Sequence, residues 1–354
     1  MPKTIIISIE KIHHLRRFLE VIHASEDIAF PPQTKISFVN QTSMGFYGFE
    51  HPTGLTYADF PFVSEPRRIF RPPLPNGEGI INHYDPSTGS LHRVPVCTES
   101  DIKRLLGSAD VILNSNDPDL RGCRTFTQTI AGASLKTPNI FDAQLWSLDD
   151  AAIKAVLKGA LKGSLSKFSL SHPCVLAAQA KDFFDYNWMI NNSSVIARYL
   201  AHVGCPSSVG KNTDDEIPIS SPALFQKGCL NLLLALARNP TAFSGNTGSD
   251  IVSFMITAKM GSPTSRFTIL DNLTNLGLLA HTDGDTYSLT DMGYRLSESL
   301  PKDAYDPHMM RRLEEWQDDW PTSKPKMERY LNVYWGKLKR KASTYEFKNA
   351  NAVN

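Results

Sequence analysis

The feature that most constrains the fold is the alternation of short β-branched runs with amphipathic segments in the first part of the chain. Residues Thr4–Ile9 (TIIISI) form a run of strand length, and residues 11–23 then repeat apolar side chains at helical spacing. A second apolar run, ADVIL at 109–113, is followed by a helical segment at 121–131. Such alternation builds a parallel sheet with helices on both faces. We therefore predict a doubly wound α/β domain over residues 1–145.

The pattern changes along the chain and suggests further divisions. Prolines concentrate in residues 26–99, where the only extended runs are short ones (KISFVN, GFYGF), and we interpret this segment as an irregular insertion within the α/β domain. After residue 145 the periodicity is mainly helical, and we predict a helical domain over 146–322. Within it, residues 249–300 have the order helix, turn, helix, hairpin, which is typical of a winged helix. Residues 323–354 form a basic helical tail with interleaved aromatic side chains.

Charge and cysteine content exclude several classes of protein. The 37 Lys and Arg residues balance 36 Asp and Glu residues, so any nucleic-acid binding must depend on a few local groups. The five cysteines are scattered and form no C-x-x-C pair, which argues against a disulfide framework or a zinc knuckle. No window reaches the roughly 18 apolar residues of a membrane helix. We expect a cytoplasmic protein with no membrane partner.

Acidic residues follow two of the predicted strands. Glu10 comes directly after the first strand, and Asp117 and Asp119 follow the ADVIL strand. If these strands are neighbours in a parallel sheet, their carboxyl ends bring the three carboxylates together. Such a group suits Mg²⁺, and Lys11 is placed to balance a phosphate oxygen. The alternative is that Asp-Pro-Asp is an ordinary turn and helix-cap sequence.

Two of these segments carry a family resemblance. IISIEK and ADVILNSNDPDLRG resemble the Toprim domain of type IA DNA topoisomerases, whose marks are Glu-Lys after the first strand and an Asp-x-Asp turn after a later one. The likeness continues in order through FDAQLWSLDDAAIKAVLKGAL, DFFDYNWMINNSSVIARYL and the winged-helix segment KMGSPTSRFTILDNLTNLGLL. It implies a Toprim fold, single-stranded DNA as partner and Mg²⁺ held by Glu10, Asp117 and Asp119. It also implies a catalytic role for these three acids and for Lys11.

The resemblance and the charges together indicate where DNA would be held. Hydroxyls and amides at the start of a recognition helix can donate hydrogen bonds to a phosphate. For the hydroxyls, plain helix capping is an equal alternative. The predicted DNA contacts are Arg121, Arg198, Ser262, Thr264, Ser265 and Arg266. The basic and aromatic tail is either a further contact or a solvated face with buried rings.

The sequence departs from the family at the acidic turn. The family continues this turn with Arg-Glu-Gly-Glu, whereas this chain has Leu120, Arg121, Gly122 and Cys123. Arg121 thus brings a positive charge where a carboxylate of the family helps hold the metal or shuttles a proton, which either weakens Mg²⁺ binding or removes the need for it. Cys123 is either a reactive thiol or a small packed residue.

The second departure concerns the nucleophile. The family cleaves DNA with a tyrosine followed by Pro-Arg-Thr in separate arch domains, and neither that motif nor enough chain for an arch is present. Tyr186, Tyr199 and Tyr287 lie in segments typical of a core helix or a wing. By resemblance the chain would be an isomerase, but the missing tyrosine argues against strand-cleaving transesterification.

Three hypotheses remain open. We favour a topoisomerase-like DNA-binding protein with an accessory role in replication, recombination or transfer of a mobile element. The second is a metal-dependent Toprim nuclease or nickase in which Glu10, Asp117 and Asp119 activate water. The third is half of a split topoisomerase or relaxase, with the tyrosine and the arch supplied by another protein chain.

Overall fold

The computed structural model describes residues 3–40, 46–71, 80–95, 98–133, 139–205, 227–238, 247–261, 263–282 and 285–345. The chain divides into two compact units, which we call the α/β unit (Met1–Glu50 with Arg67–Gln179) and the helical unit (His51–Pro66 with Ala180–Asn354). The predicted domain boundary lies at residue 145, whereas the units divide between Gln179 and Ala180. That point is inside one long helix, Pro173–Val203.

The α/β unit is built on a mostly parallel sheet. Its strands are β1 Thr4–Ile9, β2 Lys35–Asn40, β3 Phe46–Phe49, β4 Arg68–Arg71, β5 Ile80–Asp85, β6 Ser90–Pro95, β7 Val111–Asn114 and β8 Ile140–Asp142. Six of them form one sheet in the order β6-β5-β2-β1-β7-β8, and β3 and β4 pair separately. The strands β2, β1, β7 and β8 are parallel, whereas β5 and β6 are antiparallel additions at one edge.

Helices cover both faces of this sheet, as the strand–helix alternation predicts. They are α1 Ile12–Ala24, α2 Glu99–Gly107, α3 Leu120–Gly132 and α4 Asp150–Lys162. Ile5 and Ile7 of β1 pack in one apolar cluster with residues of α1 and α4, while Ile6 packs on the opposite face with residues of α2 and α3. Successive strand side chains point to opposite faces, so the apolar run TIIISI is buried on both sides.

The interpretation of residues 26–99 as an irregular insertion is wrong for much of that segment. Residues 35–40 form β2, which lies beside β1 inside the main sheet, and β5 and β6 extend the same sheet. All of β2 except Lys35 is buried. A strand buried on both faces lacks the alternating pattern that identifies a sheet strand in sequence. The neighbouring prolines also made this extended run resemble part of a loop.

The helical unit confirms the predicted helices and hairpin. It contains the greater part of α5 Pro173–Val203, followed by α6 Lys227–Arg238, α7 Gly248–Thr257, α8 Pro263–Asn275, β9 Leu279–Thr282, β10 Thr286–Leu289, α9 Asp291–Ser299, α10 Met309–Asp318 and α11 Lys324–Ala342. β9 and β10 pair antiparallel, and Thr247 bridges to Thr286. Among the described residues, no helix has the length and apolar character needed to cross a membrane.

The basic tail forms helix α11, and its rings are part of the core. Trp335 is fully buried, and its ring lies 4.8 Å from that of Trp188, centroid to centroid. Tyr334 is buried beside both rings. Lys337 pairs with Asp303, and Lys339 donates to backbone carbonyls of residues 58 and 60. The rings of Tyr334 and Trp335 are therefore buried, and nucleic-acid contact by the basic side chains of this segment stays a prediction.

Candidate functional site

The acidic residues meet because β1 and β7 are adjacent. The two strands pair in parallel, with Ser8 opposite Asn114. The Ser115 amide donates to the Ser8 carbonyl at 2.9 Å, which continues the pairing beyond the end of β7. Glu10 and Asp117 therefore lie at one edge of the sheet, where parallel sheets bind their ligands. The condition on which the acidic residues were expected to come together, that the two strands are neighbours, is met.

Glu10 is a buried carboxylate with one exposed partner. Only 7% of its side chain is exposed, and its Oε1 lies 3.1 Å from Nε of Arg121. Its Oε2 is buried without a hydrogen-bond partner among the described residues. Burial raises the pKa of Glu10, and the charge of Asp117 raises it further, while Arg121 opposes both effects. The site thus holds a carboxylate that is only partly compensated.

Asp117 is paired with two groups of helix α1. Lys11 donates from Nζ to Oδ2 of Asp117, and His14 Nε2 lies 3.4 Å from Oδ1. The hydrogen bond to Asp117 raises the pKa of Lys11. Burial lowers the pKa of His14, and Asp117 only partly offsets this. Lys11 is therefore the cation that compensates Asp117.

Asp119 begins helix α3. Its Oδ1 accepts a hydrogen bond of 2.8 Å from the Gly122 amide, so this carboxylate serves as the helix N-cap. The first turn packs closely on the acidic loop, because a Cβ atom at residue 122 would lie 2.0 Å from the Asp117 carbonyl oxygen. Gln144 donates to the same oxygen at 3.1 Å. The helix-cap interpretation of the Asp-Pro-Asp turn therefore holds for its second aspartate.

These contacts decide how the site would treat a cation. Glu10 is paired with Arg121, Asp117 with Lys11, and Asp119 with the end of a helix. Within the described parts of the chain, no three His, Cys, Asp or Glu side chains are grouped so as to hold a metal ion. Lys11 and Arg121 lie where a cation bound between Asp117 and Glu10 would lie, so a divalent cation would have to displace them, and Mg²⁺ binding stays a prediction.

The other predicted contacts lie in the helical unit. Arg266, in the first turn of α8, donates from Nε to the Met260 carbonyl at 3.1 Å. Thr264 and Ser265 lie in the same turn, and Ser262 is outside the described residues. The guanidinium carbon of Arg198 lies 3.4 Å from the centroid of the Tyr57 ring, a stacked arrangement in which the arginine is half-buried. The role of these residues in DNA binding stays a prediction.

Sequence reasoning missed several residues that build the site. His14 lies three residues after Lys11, a spacing that places both on one face of α1. Gln144 follows β8, and Asn40 ends β2, with Nδ2 donating to the Glu10 carbonyl at 2.6 Å. For Gln144 and Asn40, the position at the carboxyl end of a parallel strand was the sequence signal that could have identified them as site residues. For Asn40 that signal depended on identifying β2.

Glu10→Gln is expected to stabilise the α/β unit near neutral pH. A raised native pKa means that the folded state binds the proton more tightly, so stability falls as pH rises from about 4.5 through the native pKa. Glutamine removes this dependence. Urea unfolding across pH should show the variant as the more stable form at about pH 7, with the difference shrinking towards about pH 4. Glu20→Gln, an exposed site on α1, is the control. A difference at Glu10 that does not vary with pH would contradict the assignment.

Comparison with known proteins adds no family to this geometry, since no protein-family model and no curated protein matches the chain.

Proposed function

We propose that this protein binds single-stranded DNA at the carboxyl edge of its sheet without cleaving it, as a type IA topoisomerase-like binding protein. The observation that carries the proposal is the layering of charge at this edge. Lys11 and Arg121 are 48% and 81% exposed, whereas their partners Asp117 and Glu10 are 23% and 7% exposed. A phosphate arriving from solvent therefore meets two cations first, with the acids beneath them.

The acids also restrict where the cations can go. The pairing of Lys11 with Asp117 and of Arg121 with Glu10 limits the freedom of two long side chains before any ligand arrives. Less side-chain entropy is then lost on binding. The guanidinium presents a planar fork and the ammonium a point charge, and both suit phosphate oxygens. Because the net charge is only +1, we expect moderate affinity with a clear salt dependence.

The tyrosines support binding without cleavage. All eleven lie within the described residues, and burial is the leading cause of a raised phenol pKa at nine of them. The nine are Tyr47, Tyr57, Tyr84, Tyr199, Tyr287, Tyr305, Tyr330, Tyr334 and Tyr345. Tyr199 is fully buried, and its hydroxyl donates to the Leu338 carbonyl. A phenol nucleophile needs access to phosphate and help in losing its proton, and burial opposes both.

The helical unit supplies a second, independent support. Its elements follow the order of a winged helix. They are helix α6, the bridge of Thr247 to β10, helices α7 and α8, and the hairpin β9–β10. In that motif the later helix and the hairpin meet nucleic acid. Arg266 in the first turn of α8 is the charged group placed for such a contact. With the Toprim-like edge, this favours an accessory role in replication, recombination or transfer of a mobile element.

The test compares two double variants by fluorescence anisotropy with labelled oligothymidylate. Lys11→Ala with Arg121→Ala is expected to weaken binding roughly tenfold at moderate salt, because two phosphate contacts are lost. The slope of log K against log salt should become shallower by about 1.4, at roughly 0.7 for each phosphate on a single strand. The matched control is Lys103→Ala with Arg104→Ala, since these residues are 46% and 80% exposed and also pair with carboxylates of their own unit.

A denaturing gel run on the same mixtures, with Mg²⁺ and with chelator, separates binding from cutting. We expect intact DNA, no covalent adduct and an affinity that does not require Mg²⁺. Equal losses in both double variants would overturn the assigned binding edge. Cleavage that depends on Mg²⁺ and is abolished by Asp117→Ala would instead establish the nuclease hypothesis.

A further inference from the structure

Trp146 is the most exposed large apolar side chain among the described residues. It is 88% exposed, whereas Trp188 and Trp335 are fully buried. No hydrogen bond, ring contact or cation–π contact joins its indole to the rest of the described chain. A large aromatic side chain buries about 150–250 Å² when it packs in a core. Trp146 therefore leaves in water a surface that most tryptophans use for folding.

The chain segment that carries Trp146 begins at the carboxyl edge of the sheet. Directly after β8, the Ala143 amide donates to the Asn114 carbonyl at the end of β7, at 3.0 Å. The next residue, Gln144, donates from its side-chain amide to the Asp117 carbonyl at 3.1 Å. The segment is therefore attached to the loop that carries Asp117, two residues before Trp146.

The same segment ends on helix α1. Arg17 of α1 donates from Nε to the Leu148 carbonyl at 3.0 Å, and its guanidinium also pairs with Asp150 in the first turn of α4. Consecutive Cα atoms are about 3.8 Å apart, so the Trp146 Cα lies within about 7.6 Å of the Cα atoms of Gln144 and Leu148. The indole is thus held at the carboxyl edge, between the Asp117 loop and α1.

Exposed positive charge lies at the same edge as the indole. Lys11, which pairs with Asp117, is 48% exposed, and Arg121 is 81% exposed. Ile12, the first residue of α1, adds a second apolar side chain that is 52% exposed. Proteins that hold single-stranded nucleic acid combine cations for the phosphates with aromatic rings on which the bases stack. This edge carries both kinds of surface.

We propose that Trp146 is a base-stacking residue, on whose indole one unpaired base of the bound strand lies while Lys11 and Arg121 contact phosphates. The stacking role rests on the single-stranded DNA binding proposed above. Stacking needs a base with an open face, and in a duplex the neighbouring base pairs cover that face. Every base has such a face, so the contact tolerates any sequence. Trp146 thus gives this edge its preference for unpaired DNA.

The experiment compares three labelled ligands by fluorescence anisotropy at moderate salt: oligothymidylate, an abasic strand of the same length, and a duplex. Trp146→Ala is expected to weaken the binding of oligothymidylate about fivefold or more, because one base–aromatic stack is lost. Its affinity for the abasic strand and for the duplex should equal that of the unaltered protein. Trp146→Phe should keep most of the affinity for oligothymidylate, since phenylalanine also offers an aromatic face.

Two further readouts separate stacking from phosphate contact and from a general effect on the surface. Trp146→Ala should leave the slope of log K against log salt unchanged, because no phosphate contact is lost. Leu91→Ala is the matched control, since Leu91 is 40% exposed on β6, at the opposite end of the strand order from β8. It should alter neither affinity nor slope. Oligothymidylate should quench the tryptophan emission of the unaltered protein, and this quenching should be lost in saturated Trp146→Phe.

Failure of the stacking role is distinguishable from failure of the proposed DNA binding. If oligothymidylate binds in a manner that depends on Lys11 and Arg121, and Trp146→Ala binds it as tightly, the stacking role is overturned while the DNA binding stands. Equal losses on oligothymidylate and on the abasic strand would also overturn it, because the indole would then act without bases. Absence of oligothymidylate binding by the unaltered protein would overturn both.

Discussion

Gly122→Ala is expected to lower the free energy of unfolding of the α/β unit by about 3 kcal/mol, at the upper end of overpacking effects. An alanine Cβ would lie 2.0 Å from the Asp117 carbonyl oxygen and 2.9 Å from the Asp117 carbonyl carbon and amide nitrogen. These atoms are backbone, so no side-chain rotation relieves the overlap. The loop must move away from α3. Two hydrogen bonds would weaken with it: the one that the Asp119 carboxylate accepts from the Gly122 amide, and the one that Gln144 donates to the Asp117 carbonyl.

Urea unfolding followed by circular dichroism measures this loss. Gly107→Ala is the matched control, because Gly107 is also helical and a Cβ there meets no atom within 4 Å. Alanine has the higher helix propensity, so the control is expected to be neutral or stabilising by up to about 1 kcal/mol. Equal stability of the Gly122 and Gly107 variants would show that the loop does not pack on α3 in this way.

Trp335→Ala is expected to lower the free energy of unfolding of the helical unit by about 4 kcal/mol, the usual cost of truncating a buried tryptophan. The Trp335 ring is fully buried and contacts the rings of Trp188 and Tyr334, with centroid separations of 4.8 and 5.2 Å. The cavity left by alanine would remove dispersion contacts on all sides of the indole. Because the ring is buried, its loss should leave DNA affinity unchanged wherever the variant is folded.

Val333→Ala on the same helix separates burial from helix propensity. Val333 is 50% exposed, so this change is expected to alter stability by less than about 0.5 kcal/mol. Thermal and urea unfolding of both variants gives the comparison. Weakened DNA binding by folded Trp335→Ala, with little loss of stability, would revive the interpretation of the tail as a stacking surface for bases.

Elements of this fold are predictable from the sequence where the segment itself carries a local signal. Helices such as α1 and α3 have an apolar stripe at helical spacing, and their bounds agree with the predicted ones within about two residues. Strand β1 was identified from its β-branched run. The segment of β2 was recognised only as a short extended run, because its place in the main sheet depends on pairing with β1 and β5, which no local pattern records.

The site shows the same distinction between local and long-range information. Glu10 and Asp117 were expected to meet if the strands that they follow are parallel neighbours, and β1 and β7 are neighbours. The contact of Arg121 with Glu10 and the hydrogen bond from Gln144 to the Asp117 carbonyl join residues from different elements. Such pairings depend on how helices pack on the sheet, so spacing in the sequence does not reveal them.

The sequence by itself determined the α/β class of the first unit, the helical character of the second and the strands that the acids follow, because hydrophobic periodicity and the succession of strands and helices along the chain are local properties. Only the tertiary structure decided which charged side chains meet at that edge. Burial sets how strongly each carboxylate is desolvated, and packing brings Lys11 and Arg121 over Asp117 and Glu10. Lys11 and Arg121 are the more exposed member of each pair, so two of the three acids that would suit a metal ion lie beneath cations of the same chain.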